Sequence, residues 1–254
     1  MRNFKSIARR ELLGYFQSPI AYVFIITFLL ATMGCTFYLA DFYRNGDGTA
    51  SLESFFVWHP WLYLFFIPAI GMRLWSEERH TGSIELLFTF PITHMEAVLA
   101  KFCAAWAFIG LTLALTFTLP LTTMFLGDPD MGPIIAGYLG SFLMAGAYLA
   151  VTCVMSALTR SQVVAFILGV IVNFALAVLG YGVFAEGLER NLVDVLGRDS
   201  GVWLSDLITS LGYSTHFQDL LRGVVEFRDV AYFLSVIIGG LILTRLVIEQ
   251  KQAE

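Results

Sequence analysis

Six long apolar runs constrain this chain more than any other feature: Ile20–Ala40, Val57–Leu74, Phe102–Leu126, Pro133–Leu158, Val163–Phe184 and Val230–Ile248. Crossing the hydrocarbon of a bilayer takes about 20 apolar residues at about 1.5 Å of rise each, and every run reaches or approaches that length. In lipid, backbone groups must be satisfied within the segment, so the runs are helices and not strands. Pro60, Pro68 and Pro120 kink their helices without breaking them. Composition agrees: 57% of the 254 residues are hydrophobic and 14% are charged, whereas soluble domains carry about 25% charge. The expected architecture is an all-α integral membrane protein with six transmembrane helices, folded as one domain over residues 1–254. The first run has no clear small-residue cleavage site and is longer than a signal-peptide core, so it reads as a retained helix.

Alternating the spans from a cytoplasmic N-terminus places Arg2, Lys5, Arg9, Arg10, Arg73, Arg79, Lys101, Arg160, Arg245 and Lys251 on one side. Arg44, Arg190, Arg198, Arg222 and Arg228 fall on the other. Acidic residues divide the opposite way. The positive-inside rule then makes both termini cytoplasmic.

Three segments outside the spans carry the functional interest. In residues 1–18, Phe4, Ile7, Leu12, Tyr15 and Phe16 recur at near-helical spacing between Lys5, Arg9 and Arg10, and Ser18-Pro19 ends the pattern. This is either an amphipathic interfacial helix or a plain basic topogenic anchor. Residues 76–93 link spans two and three and are too long for a turn. Gly82 permits reversal, Ser83 is placed to cap a short helix over Ile84–Phe90, and Pro91 closes it. Thr93 with Glu96 is a capping box that restarts the helix. The result is a docking helix for a soluble partner or a solvated loop. Residues 185–228 show three apolar stripes, around Leu188/Leu192/Val195/Leu196, Leu204/Leu207/Ile208/Leu211 and Phe217/Leu220/Leu221/Val224. They read as short external helices, re-entrant or amphipathic, forming a cap or a gate, with Trp203 and Tyr213 suited to the interface.

The chemistry of an energy-using enzyme is missing from the motifs. No GxxxxGK[ST] loop, GxSxG, kinase or dinucleotide fingerprint occurs. Cys35, Cys103 and Cys153 lie in apolar stretches without metal-ligand spacing, and His59, His80, His94 and His216 are scattered. No cofactor, metal or catalytic residue is therefore expected in this chain, and no nucleic-acid partner. Ionisable groups are nearly absent from the spans, against the habit of ion-driven carriers. Asn173 is the one strongly polar residue well inside a span, either an interhelical hydrogen-bonding group or a substrate ligand.

The amphipathic N-terminus, six spans, and Glu77-Glu78-…-Gly82-Ser83-Ile84-Glu85-Leu86-Leu87-…-Pro91, continued by Ala97-Val98-Leu99-Ala100-Lys101-Phe102, resemble the permease subunits of type-2 ABC exporters. Ser18-Pro19-Ile20-Ala21-Tyr22-Val23, Pro60-Trp61-Leu62-Tyr63, Met72-Arg73-Leu74-Trp75-Ser76-Glu77-Glu78 and Ser214-Thr215-His216-Phe217 are most similar to the gliding-motility-associated branch, which also occurs in bacteria that do not glide. The resemblance implies a non-catalytic subunit in the bacterial inner membrane. It would pair with a second permease copy, identical or different, and with two cytoplasmic ABC ATPases that hold ATP and Mg. An accessory protein with a periplasmic domain often accompanies this branch. Glu77, Glu78, Gly82, Ser83, Ile84, Glu85, Leu86, Leu87 and Phe88 would form the coupling helix region against the ATPase. Phe4, Arg9, Arg10 and Phe16 would mark the elbow helix. Spans two and five would line the dimer interface and the path. A non-transporting scaffold docking cytoplasmic and periplasmic partners, and a passive channel or carrier, are the competing readings.

Overall fold

The computed structural model describes residues 2–39, 52–89, 92–127 and 129–252. Fourteen α-helices and two short helical turns follow in chain order among them. They are α1 (Arg2–Gln17), α2 (Pro19–Gly34, extended by a π-helical turn over Cys35–Leu39), α3 (Glu53–Phe56), α4 (His59–Gly71), α5 (Arg73–Thr81) and α6 (Ser83–Thr89). Then come α7 (His94–Ala114, followed by a 3₁₀ turn over Leu115–Phe117), α8 (Thr118–Leu126), α9 (Met131–Leu158) and α10 (Gln162–Leu179). The last four are α11 (Gly182–Leu196), α12 (Arg198–Thr209), α13 (Tyr213–Leu221) and α14 (Phe227–Gln252). No strand occurs among the described residues. Six helical stretches are long and apolar enough to cross a membrane: Pro19–Tyr38, Glu53–Thr81, His94–Phe125, Met131–Leu158, Gln162–Leu179 and Phe227–Lys251.

Short polar residues start the helices as their chemistry requires. Ser18 accepts from the Ile20 amide with Pro19 at the first helical position, Asp130 accepts from Gly132, and Ser161 accepts from Val164. Thr93 and Glu96 close both bonds of the expected capping box.

The bundle is organised around α9, which packs against α4, α5, α7, α10, α13 and α14. Of its most apolar stretch 78% is buried, against 22% in α2 and in α10, so α9 is the axis and those two are peripheral. Small residues make this possible: a Cβ on Gly240 of α14 would stand 2.9 Å from that of Ala150. Without a hydrophobic force between helices in lipid, such close backbone approach supplies the packing energy.

Three spans run further than the apolar stretches suggest, and span five is shorter, ending at Leu179 and not Phe184 because the chain breaks at Gly180 and Tyr181 before α11. Span two continues through α5 to Thr81 and not Leu74; span three begins at His94 and not Phe102; span six begins at Phe227 and not Val230. The expectation that spans carry almost no ionisable groups is corrected accordingly, since Lys101 and Asp229 are buried on span helices. Both are paired, which is what allows the helices to continue. Ala40, Phe90 and Pro91, expected at element ends, lie outside the described residues.

The three apolar stripes after span five become α11, α12 and α13. The first two pack on each other, while α13 packs on α9 and α10. Trp203 is 65% exposed, but Tyr213, expected at the interface, is fully buried. The cause is Gly212: a Cβ there would lie 2.2 Å from the Gly180 backbone nitrogen, an approach that draws the following residue into the bundle. Burial pushes the Tyr213 phenol well above its ordinary pKa.

Candidate functional site

The link between spans two and three is an extension of a span, reversed by one residue. Just beyond the α4–α5 junction the amides of Trp75 and Ser76 both donate to Ser156 Oγ of α9, each at 3.1 Å. That hydroxyl donates in turn to Met72 O at 2.7 Å. Arg79 donates to the Ala157 carbonyl near the C-terminal end of α9, where the helix dipole favours a cation. Helix α5 is thus stapled to the central helix at both its ends. It stops at Gly82, whose φ of 71° is left-handed and strained for any residue with a Cβ. The chain reverses into α6, with Ser83 Oγ 2.9 Å from Thr81 Oγ1.

Beneath this reversal lies an ionic triad around one buried lysine. Lys101 of α7, 5% exposed in its side chain, places Nζ 2.7 Å from Glu78 of α5 and 3.6 Å from Glu11 of α1. The ammonium stands 5.3 Å from the Trp75 ring centroid, a cation–π contact in a desolvated place. A lysine that sits among Ala97, Val98, Ala100 and Phe102 must either lose its proton or find carboxylates, and two helices supply them. Glu78 Oε2 is buried without a hydrogen-bond donor among the described residues.

Helix α1 packs along α7. Tyr15 stacks on Phe108 at 5.0 Å and Phe16 meets the same ring edge-on at 5.8 Å. Its apolar stripe therefore faces protein as well as the surroundings. Burial raises the Tyr15 phenol far above its usual pKa. A cavity of about 840 Å³ opens between α1, α2, α4, α5 and α7.

The residues expected to form the site separate into groups. Glu77 pairs with Arg73 one turn back at 3.1 Å, and Glu78 turns inward to Lys101. Gly82 makes the reversal, Ile84 packs against the core, and Ser83 and Glu85 lie on the reversed helix with Glu85 exposed. Leu86, Leu87 and Phe88 belong to α6, but their side chains lie outside the described residues. Phe4 and Phe16 are half-buried and Arg9 and Arg10 exposed; Arg10 reaches Glu11 at 2.9 Å. Sequence reasoning missed Glu11, Trp75, Ser156 and the burial of Lys101. The one signal available was a lone lysine inside an apolar run.

The opposite end of the bundle holds a second buried pair. His216 Nδ1 of α13 is 2.7 Å from Asp229 Oδ1 of α14, its Nε2 is 3.1 Å from the Ser210 carbonyl, and its ring stacks on Tyr232 at 4.0 Å. Both ring nitrogens thus face oxygens, one of a carboxylate and one of the backbone. Between the two ends, Asn173 donates to Tyr148 O at 3.3 Å and to Thr152 Oγ1 at 3.2 Å, and accepts from Tyr213 at 3.3 Å. With its polar atoms used up in helix–helix bonds, Asn173 takes the interhelical alternative.

A family model described as "ABC-2 family transporter protein" matches residues 38–248, most of the chain: spans two to five, span six to Ile248, and only the last residue of span one. No curated protein matches the chain at a significant level.

Proposed function

Since the chain belongs to the ABC-2 transporter family, we propose that it is the non-catalytic permease subunit of an ATP-binding-cassette exporter, driven by separate cytoplasmic ATPases. The observation that carries this reading is the rigid arm from Arg73 to Gly82: it continues span two, is pinned to α9 by Ser156 and Arg79, and ends in a reversed helix with an exposed Glu85. Motion applied at α6 reaches the bundle as rotation of a packed element and not as loop bending. The triad extends the same arm to α7 and to the elbow helix α1.

In this reading the Gly82 end is cytoplasmic, both termini lie on that side of the bacterial inner membrane, and the docking surface is α6 with Ser83 and Glu85. Glu77 and Glu78 support the arm from within, since each already has a basic partner in the chain. Two ATPases holding ATP and Mg, and a second permease copy, complete the machine. The exposed apolar faces of α2 and α10 suit lipid and the second copy. The residues around Ser18-Pro19 and Ser214-Thr215-His216-Phe217 favour the gliding-motility-associated branch, and with it an accessory protein with a periplasmic domain acting near α11–α13.

The test is ATP turnover of the complex purified with its ATPase in lipid discs. Gly82→Pro cannot adopt φ of 71° and abolishes stimulated turnover, while Glu85→Lys reduces it; insertion of both variants is unchanged. Full turnover in Gly82→Pro, or failure of any ATPase to co-purify, would favour a scaffold.

A further inference from the structure

One ammonium between carboxylates of two different helices has two places to sit. Lys101 Nζ lies 2.7 Å from Glu78 Oε1, at hydrogen-bond distance, and 3.6 Å from Glu11 Oε1, close enough to attract but too far to bond. Closing the longer contact to about 2.8 Å moves the ammonium by about 1 Å, within reach of a flexible four-carbon stem. The first seat holds the ammonium twice over. Glu78 and Trp75 both belong to α5, and the Trp75 ring centroid stands 5.3 Å from Nζ. The second seat belongs to α1, and Arg10 Nη2 steadies it by donating to the same Glu11 oxygen at 2.9 Å.

The two seats are carried by parts of the molecule that pack separately. Helix α5 packs on α9 and α10, whereas α1 packs on α7 and α2. The cavity of about 840 Å³ is lined by Glu11 and Glu78 alike. The acids are partly wet, 20% exposed for Glu78 and 22% for Glu11, while Lys101 at 5% is dry. An arm that turned away from α7 with Glu78 would strand this ammonium unless another carboxylate took it. We propose that Glu11 is that carboxylate: a positioning residue of the coupling step, to which Lys101 passes from Glu78 as the arm turns. That the exchange accompanies ATP-driven motion rests on the permease reading above; that Glu11 can take the ammonium does not.

The first test needs only the full chain, in phosphatidylcholine bilayers. Its lysines are three, Lys5, Lys101 and Lys251, so solid-state NMR with ¹⁵Nζ-lysine and ¹³Cδ-glutamate resolves the contacts of Lys101, assigned by its loss in Lys101→Met. In the unaltered chain the strong nitrogen–carbon coupling runs to Glu78. In Glu78→Gln it passes to Glu11, as the 3.6 Å contact closes to about 2.8 Å, and it disappears when Glu11→Gln is added. Glu78→Asp keeps the charge but withdraws it by one methylene; it gives the same transfer and serves should Glu78→Gln fail to fold. Lys101 remaining at its original distance from Glu11 in the folded variant overturns the proposal.

The second test is ATP turnover of the complex with its ATPase. Glu11→Gln lowers stimulated kcat by about tenfold, the worth of one charge-assisted hydrogen bond, and leaves KM for ATP unchanged. Adding Lys101→Met restores kcat, because no ammonium then needs a second seat. Were Glu11 only a packing group or a contact to the ATPase, the double variant would stay as slow as Glu11→Gln, and that result overturns the proposal, as does unaltered kcat in Glu11→Gln. Absence of turnover in the unaltered complex counts against the permease reading alone, and the NMR transfer then decides the second seat by itself.

Discussion

At one end of the bundle Lys101 gathers carboxylates from two other helices, Glu78 and Glu11; at the other, His216 meets the single carboxylate of Asp229 and a backbone carbonyl. The burial differs in kind. The His216 and Asp229 side chains are 4% and 1% exposed, whereas around Lys101, at 5%, Glu78 and Glu11 stand at 20% and 22%. In the first site the acids reach the cavity and only the base is dry; in the second both members are dry. Removing an acid from the first site strands a buried ammonium, whereas removing its base leaves two acids that reach the cavity. The cost of breaking each site therefore depends on which partner is removed, and not on the pair as such. The end with wetter acids also joins three helices that are distant in sequence, and it is the one fit to rearrange without stranding charge.

Removal of single groups sharpens this comparison. The largest loss is expected for Glu78→Ala, which leaves a buried ammonium with only the longer Glu11 contact: about 3 kcal/mol, seen as an apparent melting temperature lower by about 6–12 °C in detergent. Asp229→Ala costs less, about 2 kcal/mol, and proteolysis after Arg222 and Arg228 accelerates as α13 loosens from α14. Asn173→Leu, an uncharged reference between the two ends, costs about 1 kcal/mol in the same melting assay. The smallest effect is expected from Lys101→Met. Its thioether lies over Trp75 in place of the ammonium, and the two acids left behind are hydrated through the cavity, so stability changes by less than about 1 kcal/mol. If Lys101→Met were as damaging as Glu78→Ala, the asymmetry between base and acids would be wrong.

The frame of the molecule was legible in the sequence because lipid imposes a single length and a single secondary structure. All six spans, the Gly82 reversal, the Thr93–Glu96 box and the three external stripes have local signatures. The ends of spans were not legible, because a helix stops where its hydrogen bonds stop and not where its apolar residues do. Lys101 counted as a topogenic cation for the same reason: its partners are 23 and 90 residues away in the chain, and no local pattern announces them. Glu77 and Glu78 were expected to act together on an ATPase. Adjacent residues on a helix point about 100° apart, so one finds Arg73 on its own surface and the other turns to Lys101. His216 carried a branch signature but no structural prediction, since Asp229 sits beyond an intervening loop.

One oxygen at the α4–α5 junction has a mechanical consequence. Ser156 Oγ accepts two amides and donates to one carbonyl, and by doing so it splices two helical pieces into a single stiff rod. The torsional stiffness of span two therefore resides in the hydroxyl of a neighbouring helix. Under the proposed coupling, loss of that splice would leave Gly71 and Met72 as the place where span two bends.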